Sequence, residues 1–171
     1  SPPRHGKTDL LIHFAVWQIC KNPNIRIMWV GGNEDIAKNS VGAVLDHLEN
    51  NEKLIEDFCG PGETFKPKSR TGKTWSSGQF TVKTRTVTGI KSPTMVAVGK
   101  GGKILSRDCD LIIADDVESA NNSQTQLMRD RLSETVKEFD AIIKPEVGRI
   151  IFLGTPQTEM SLYNSLEERG F

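Results

Sequence analysis

The chain has 171 residues, enough for one domain with a core of its own and short for two. Lysine plus arginine and aspartate plus glutamate stand at 22 each, so no overall basic field argues for wrapping a polyanion, although local contacts remain open. The three cysteines (Cys20, Cys59, Cys109) lack any Cys-x-x-Cys or disulfide framework, and His5, His13 and His47 lack metal-ligand spacing. No apolar run is long enough to span a bilayer, so a soluble protein of a reducing compartment is expected.

The first eight residues read Ser-Pro-Pro-Arg-His-Gly-Lys-Thr. Glycine lets backbone approach a phosphate chain, lysine supplies a point charge to the outer phosphates, and a threonine hydroxyl can hold Mg²⁺. The apolar periodicity from Asp9 to Cys20 predicts a helix whose N-terminal N–H groups face an anion over Gly6 to Thr8. The bland reading is a plain loop-to-helix turn. Two departures from the usual pattern favour it: Ser1 stands where the first glycine belongs, and no apolar strand precedes the loop.

Asn22-Pro23-Asn24 stops that helix, and Ile25 to Val30 reads as an apolar strand ending at Gly31-Gly32. Asn33 is a helix cap, with Glu34 and Asp35 in the first turn and Ile36, Val41, Val44, Leu45 and Leu48 as the apolar stripe. A shorter helix is expected from Glu52 to Phe58. From Glu63 to Lys103 the texture changes to Gly, Ser, Thr and Lys among short strand-like runs, which predicts a small antiparallel insertion. Within it Thr71-Gly72-Lys73-Thr74 repeats the Gly-Lys-Thr string, but with neither a strand before it nor a helix after it, so it reads as a turn. Val98 to Lys103 reads either as a hairpin tip or as a contact to DNA or a neighbouring subunit.

Cys109 to Glu118 is the second informative stretch. Leu111-Ile112-Ile113-Ala114 suits a strand buried on both faces, and Asp115, Asp116 and Glu118 cluster at its C-terminal tip, where open α/β sheets bind ligands. One carboxylate there can hold Mg²⁺ and a second can orient the water that attacks a γ-phosphate; the bland alternative is an acidic loop. Asn121 to Ile143 has helical periodicity, with Leu127, Leu132, Val136, Phe139 and Ile143 on one face. Gly148 to Leu153 is another buried-strand pattern, tipped by Thr155 and Gln157, and Met160 to Arg169 closes the chain as a helix. This alternation implies an α/β fold, a mostly parallel sheet sandwiched by helices.

Three stretches, Pro2 to Thr8, Ser106 to Asp116 and Gly148 to Gln157, together resemble the ATPase domain of the large terminase subunit, the DNA-packaging motor of tailed bacteriophages. The first resembles that family's phosphate loop, which often lacks the first glycine. The second is similar to its acidic strand and the third to its coupling motif. The resemblance implies a P-loop NTPase fold and an ATP-hydrolysing motor that moves double-stranded DNA into a procapsid. It implies ATP and Mg²⁺ as cofactors, with Pro3, Arg4, His5, Gly6, Lys7 and Thr8 cradling the phosphates and Thr8 and Asp115 holding the metal. Asp116 stands where the family has a glutamate base, and Glu118 is its rival. Thr155 would sense the γ-phosphate, and either Arg4 in cis or Arg107 from a neighbouring subunit would stabilise transition-state charge. A surface ion pair is the plain reading of either arginine.

Implied partners are double-stranded DNA, the portal protein and the small terminase subunit, with a homo-oligomeric ring docked on the procapsid in the host cytoplasm and no membrane. The resemblance also makes residues 1–171 an ATPase domain truncated at its N-terminus. The family's adenine-contacting segment and its DNA-cutting nuclease domain would lie outside the chain. The strand that should feed the loop is then expected inside the sheet, and the fragment alone is expected to fold poorly. A helicase-like DNA translocase and a nucleotide-binding module without hydrolysis are the two alternatives.

Overall fold

The computed structural model describes residues 6–68, 73–102, 108–118, 125–154 and 166. Among them the elements run α1 (Lys7–Lys21), β1 (Ile27–Gly31), α2 (Glu34–Asn50), α3 (Glu52–Cys59), β2 (Gln79–Phe80), β3 (Met95–Gly99), β4 (Leu111–Asp115), α4 (Gln126–Ile142) and β5 (Arg149–Leu153). The five strands form one sheet in the order β2-β3-β1-β4-β5. All neighbours are parallel except β2, which runs antiparallel to β3.

The pleat divides the core. Alternate strand residues Ile27, Trp29, Met95, Leu111 and Ile113 face α1 and α2, meeting Leu11, Ala15, Ile19, Val41, Val44 and Leu48. Their neighbours Met28, Val30, Val96, Val98, Ile112 and Ala114 face the other way, onto Val136, Phe139 and Ile142 of α4 and onto Leu166. Both faces are covered, which is why β1 and β4 are buried at every position and their sequences show no polar alternation. At the sheet's β5 edge burial is weaker, with Arg149 exposed and the next four residues half-buried.

Three expectations shift. The Met95–Gly99 segment, read as part of an antiparallel insertion, joins the main sheet in parallel with β1, because its apolar run is that of a strand covered on both sides. The antiparallel part shrinks to β2 and the isolated bridge between Trp75 and Phe80. In α2, Ile36 is exposed and Ala37 and Ser40 take the seam, since stepping back by one turn from Val41 and Val44 lands on them. In α4, Leu127 is exposed, while Val136, Phe139 and Ile142 form the buried face. Of the expected last helix, only Leu166 lies within the described residues; it is helical and buried.

Candidate functional site

The site lies at the C-terminal ends of the parallel strands, where Gly31, Gly99, Asp115 and Leu153 end their strands in register. The helix start sits over this edge. Gly6 is the N-cap of α1 with φ 66° and ψ 21°, a left-handed conformation that costs glycine nothing, and it turns the chain so that Lys7 and Thr8 open the first helical turn. Leu10 N–H donates to the Gly6 carbonyl at 3.0 Å, closing that turn.

The Thr8 side chain is hydrogen-bonded to the Asp115 carboxylate, and Lys7 is close enough for its charge to act on the same group. Asp115 is only 4% exposed, and its Oδ1 is buried without a hydrogen-bond partner. Burial pushes the Asp115 carboxyl above the usual aspartate range. The Thr8 hydrogen bond opposes this, the negative charge of Asp116 adds to it, and Lys7 opposes it. A buried carboxylate oxygen with no donor is costly unless a cation or proton meets it, and hydroxyl plus carboxylate is the oxygen donor set that Mg²⁺ takes. Thr8 and Asp115 therefore fit the metal-binding pair read from the motif.

Past Asp115 the chain turns sharply. Asp116 has φ 47°, uncommon for a non-glycine residue, and its N–H donates to the Leu153 carbonyl at 2.8 Å. Its side chain is exposed, whereas Val117 and Glu118 turn back inward and are 2% and 3% exposed. The two rival base candidates thus lie in different surroundings, one in solvent beside Asp115 and one in the interior.

Two glycines beside this edge were read from sequence only as a strand end. A Cβ on Gly32 would come within 3.2 Å of the Asp116 carbonyl oxygen, and one on Gly31 within 2.9 Å of Ala37 N. Gly99 is tighter still, with a would-be Cβ 2.5 Å from Glu34 N. Gly31 and Gly99 let the N-terminus of α2, capped by Asn33 whose side chain accepts from Ile36 N–H at 2.9 Å, sit directly on the strand ends, and Gly32 lets the turn at Asp116 come close. The double glycine after an apolar strand was the available signal.

The turn after β3 is not a hairpin tip, because β3 runs parallel to β1; Lys100 N–H donates to the Gly31 carbonyl at 3.0 Å, and burial pulls the Lys100 ammonium pKa down. Pro3, Arg4, His5, Arg107 and Thr155 lie outside the described residues. The two described histidines contact each other, His13 and His47 having ring centroids 4.8 Å apart, and His13 Nδ1 bonds the Asp9 carbonyl at 2.7 Å. No cluster of three or more His, Cys, Asp or Glu side chains suited to a metal occurs among the described residues. Among them no helix is long and apolar enough to cross a membrane.

Fold and site define an α/β protein with an open, mostly parallel sheet whose buried strand-tip carboxylate is met by the first turn of a Gly-Lys-Thr helix. Over 97% of its length the chain is 36% identical to the terminase, large subunit, of Enterobacteria phage T3. The resemblance carried by the three motifs therefore holds across nearly the whole chain, which is related to a segment of a terminase large subunit. The chain spans 27% of that relative's length. No family model matches it.

Proposed function

We propose that the chain is the ATP-hydrolysing motor part of a phage terminase large subunit, a P-loop NTPase domain whose turnover drives double-stranded DNA into a procapsid. The observation that carries this reading is the hydrogen bond between Thr8 at the start of α1 and the buried Asp115 at the tip of β4, with Lys7 beside them. Similarity to a terminase large subunit supports the packaging role. The portal protein, the small terminase subunit and further copies in a ring are the partners that role calls for, on the procapsid in the host cytoplasm.

In this reading the backbone from Gly6 and the Lys7 ammonium bind the β- and γ-phosphates, aided by the dipole of α1. Thr8 and Asp115 hold Mg²⁺, which when bound supplies positive charge against the phosphate oxygens. Asp116, exposed beside Asp115, orients a water for in-line attack on the γ-phosphorus. A new P–O bond forms as the bond to the β–γ bridging oxygen breaks and ADP departs. Glu118, being buried, supports the turn that presents Asp116. Pro3, Arg4 and His5 complete the loop, Arg4 or a neighbour's Arg107 stabilises the transition state, and Thr155 senses the γ-phosphate.

ATP turnover of the whole protein tests this. Lys7→Ala and Asp115→Ala are each expected to reduce it by on the order of 10³-fold, the scale seen when one preorganised charge-stabilising group is removed. Turnover left intact by both changes would end the catalytic assignment. Asp116→Asn is expected to fall nearly as far and Glu118→Gln much less; the reverse order would move the base to Glu118.

A further inference from the structure

Lys73 and Thr74, the described part of the second Gly-Lys-Thr string, lie towards the other end of the sheet. Lys73 and Thr74 line an open groove of about 410 Å³, together with Thr81, Arg85, Thr88 and Lys91. No carboxylate lines it among the described residues. Neighbouring lysines of the same region are neutralised, Lys66 by Glu49 at 2.8 Å and Lys83 by Glu63, whereas neither Lys73 nor Lys91 has an ion pair among the described residues.

Behind them Arg85 is fixed by neutral acceptors alone. Its Nη1 donates to the Ser92 carbonyl at 2.7 Å, and its Nη2 to Thr94 Oγ1 at 3.1 Å and to the Ile25 carbonyl at 3.4 Å. Its Nε is buried without a hydrogen-bond partner. The carboxylate near enough to act on it, Asp110, is already held by Arg26 at 2.8 and 2.9 Å. Burial and the like charge of Arg26 both pull the Arg85 pKa down, as they do for a cation whose counter-ion is missing.

Three cations with hydroxyls between them and no acid form the donor set that proteins direct at phosphate oxygens, and it carries no base-reading geometry. We propose that this groove binds the phosphate backbone of double-stranded DNA, with Lys73 and Lys91 as the contacting cations and Arg85 as the rigid charge behind them. The preference for phosphate comes from the groove itself. The choice of DNA rests on the packaging reading. Because Ile25 and Thr94 lie just ahead of β1 and β3, the groove is a full strand length from Asp115, roughly 17 Å at about 3.3 Å per residue. DNA contact and hydrolysis are therefore separable by mutation.

The test is equilibrium binding of a labelled random-sequence duplex to the whole protein over a salt series, comparing wild type with Lys73→Gln/Lys91→Gln. A control pair, Lys53→Gln/Lys137→Gln, removes equal charge from exposed positions on α3 and α4. The groove pair is expected to weaken binding roughly tenfold and to flatten the dependence of log K on log salt by about 1.8, two phosphate contacts at about 0.9 each. ATP turnover without DNA should stay at the wild-type rate. The proposal is overturned if affinity and slope are unchanged, or if the control pair weakens binding as much. It is also overturned if inorganic phosphate at constant ionic strength abolishes the difference, which would mark a single-anion site. A wild-type protein without ATP turnover would count against the motor reading and leave the binding result to judge the groove.

Discussion

Strand β4 begins beside a half-buried aspartate and ends in a buried one, and the two are treated in opposite ways. Asp110, just ahead of the strand, receives the Arg26 backbone N–H at 2.9 Å and both ends of the Arg26 guanidinium, from Nε at 2.9 Å and Nη2 at 2.8 Å. Burial pushes the Asp110 carboxyl up, but these hydrogen bonds and the arginine charge outweigh it and hold the group below the usual carboxylate range. Asp115, at the far end, has one described side-chain hydrogen bond, from Thr8, and an oxygen with none; burial dominates and its pKa rises. A carboxylate whose charge is met inside the chain is structure. Asp115 keeps an oxygen without a donor even with Thr8 and Lys7 beside it, and that difference is what supports the metal-holding role proposed for the C-terminal end of the sheet.

Breaking the Asp110 side should have the largest effect on stability. Arg26→Ala leaves a partly buried carboxylate without its partner and is expected to destabilise by about 2–3 kcal/mol, below the full cost of a deeply buried pair because both side chains keep some solvent contact. Denaturant midpoints of the protein carrying this chain would show it. The folded pKa of Asp110 lies below the unfolded value of about 3.9, so its contribution is present above that pH and is lost as pH falls through the folded pKa. The gap between wild type and Arg26→Ala should therefore narrow in that acid window, and a gap independent of pH would separate the loss from the ion pair.

At the ligand end the expected weakness is steric. Gly99→Ala drives a Cβ to 2.5 Å from Glu34 N and 2.9 Å from Asn33 C, both backbone, so α2 must lift off the strand ends; a loss of about 2 kcal/mol is expected from denaturation. Normal stability in that variant would mean that α2 does not sit where described.

The smallest effect has the most telling sign. In nucleotide-free protein without metal, Asp115→Asn should leave stability unchanged or raise it by up to about 1 kcal/mol, since it removes a charge that burial disfavours. The same change should abolish turnover. A marked loss of stability instead would make Asp115 a structural residue like Asp110, and the contrast between the two ends of β4 would vanish.

Much of this was legible beforehand, and the reasons are local. The cap at Asn33 is a side-chain-to-backbone bond three residues long, so its residue type announces it. β1 and β4 announce themselves as unbroken apolar runs because both faces are covered. Gly-Lys-Thr ahead of an amphipathic helix is likewise a short-range pattern, and its partner Asp115 was recognisable as a carboxylate at a strand tip. β3 was misplaced because four apolar residues in a polar stretch do not state which neighbour they pair with. The close approaches at Gly32 and Gly99 are not legible in the sequence because each meets a segment far away in the chain, Asp116 and the start of α2 respectively.

The amino-acid sequence by itself determined which segments become helix or strand and which residues have the chemistry for phosphate and metal, because propensity, capping and periodicity act within a few residues. Only the tertiary structure decided which of those residues meet. It set Thr8 against Asp115 across more than a hundred residues, kept Asp116 in solvent while burying Glu118, and satisfied Asp110 with Arg26 while leaving an oxygen of Asp115 without a donor. The reason is that strand order and register, rather than any local preference, bring distant carboxylates, hydroxyls and cations within hydrogen-bonding reach.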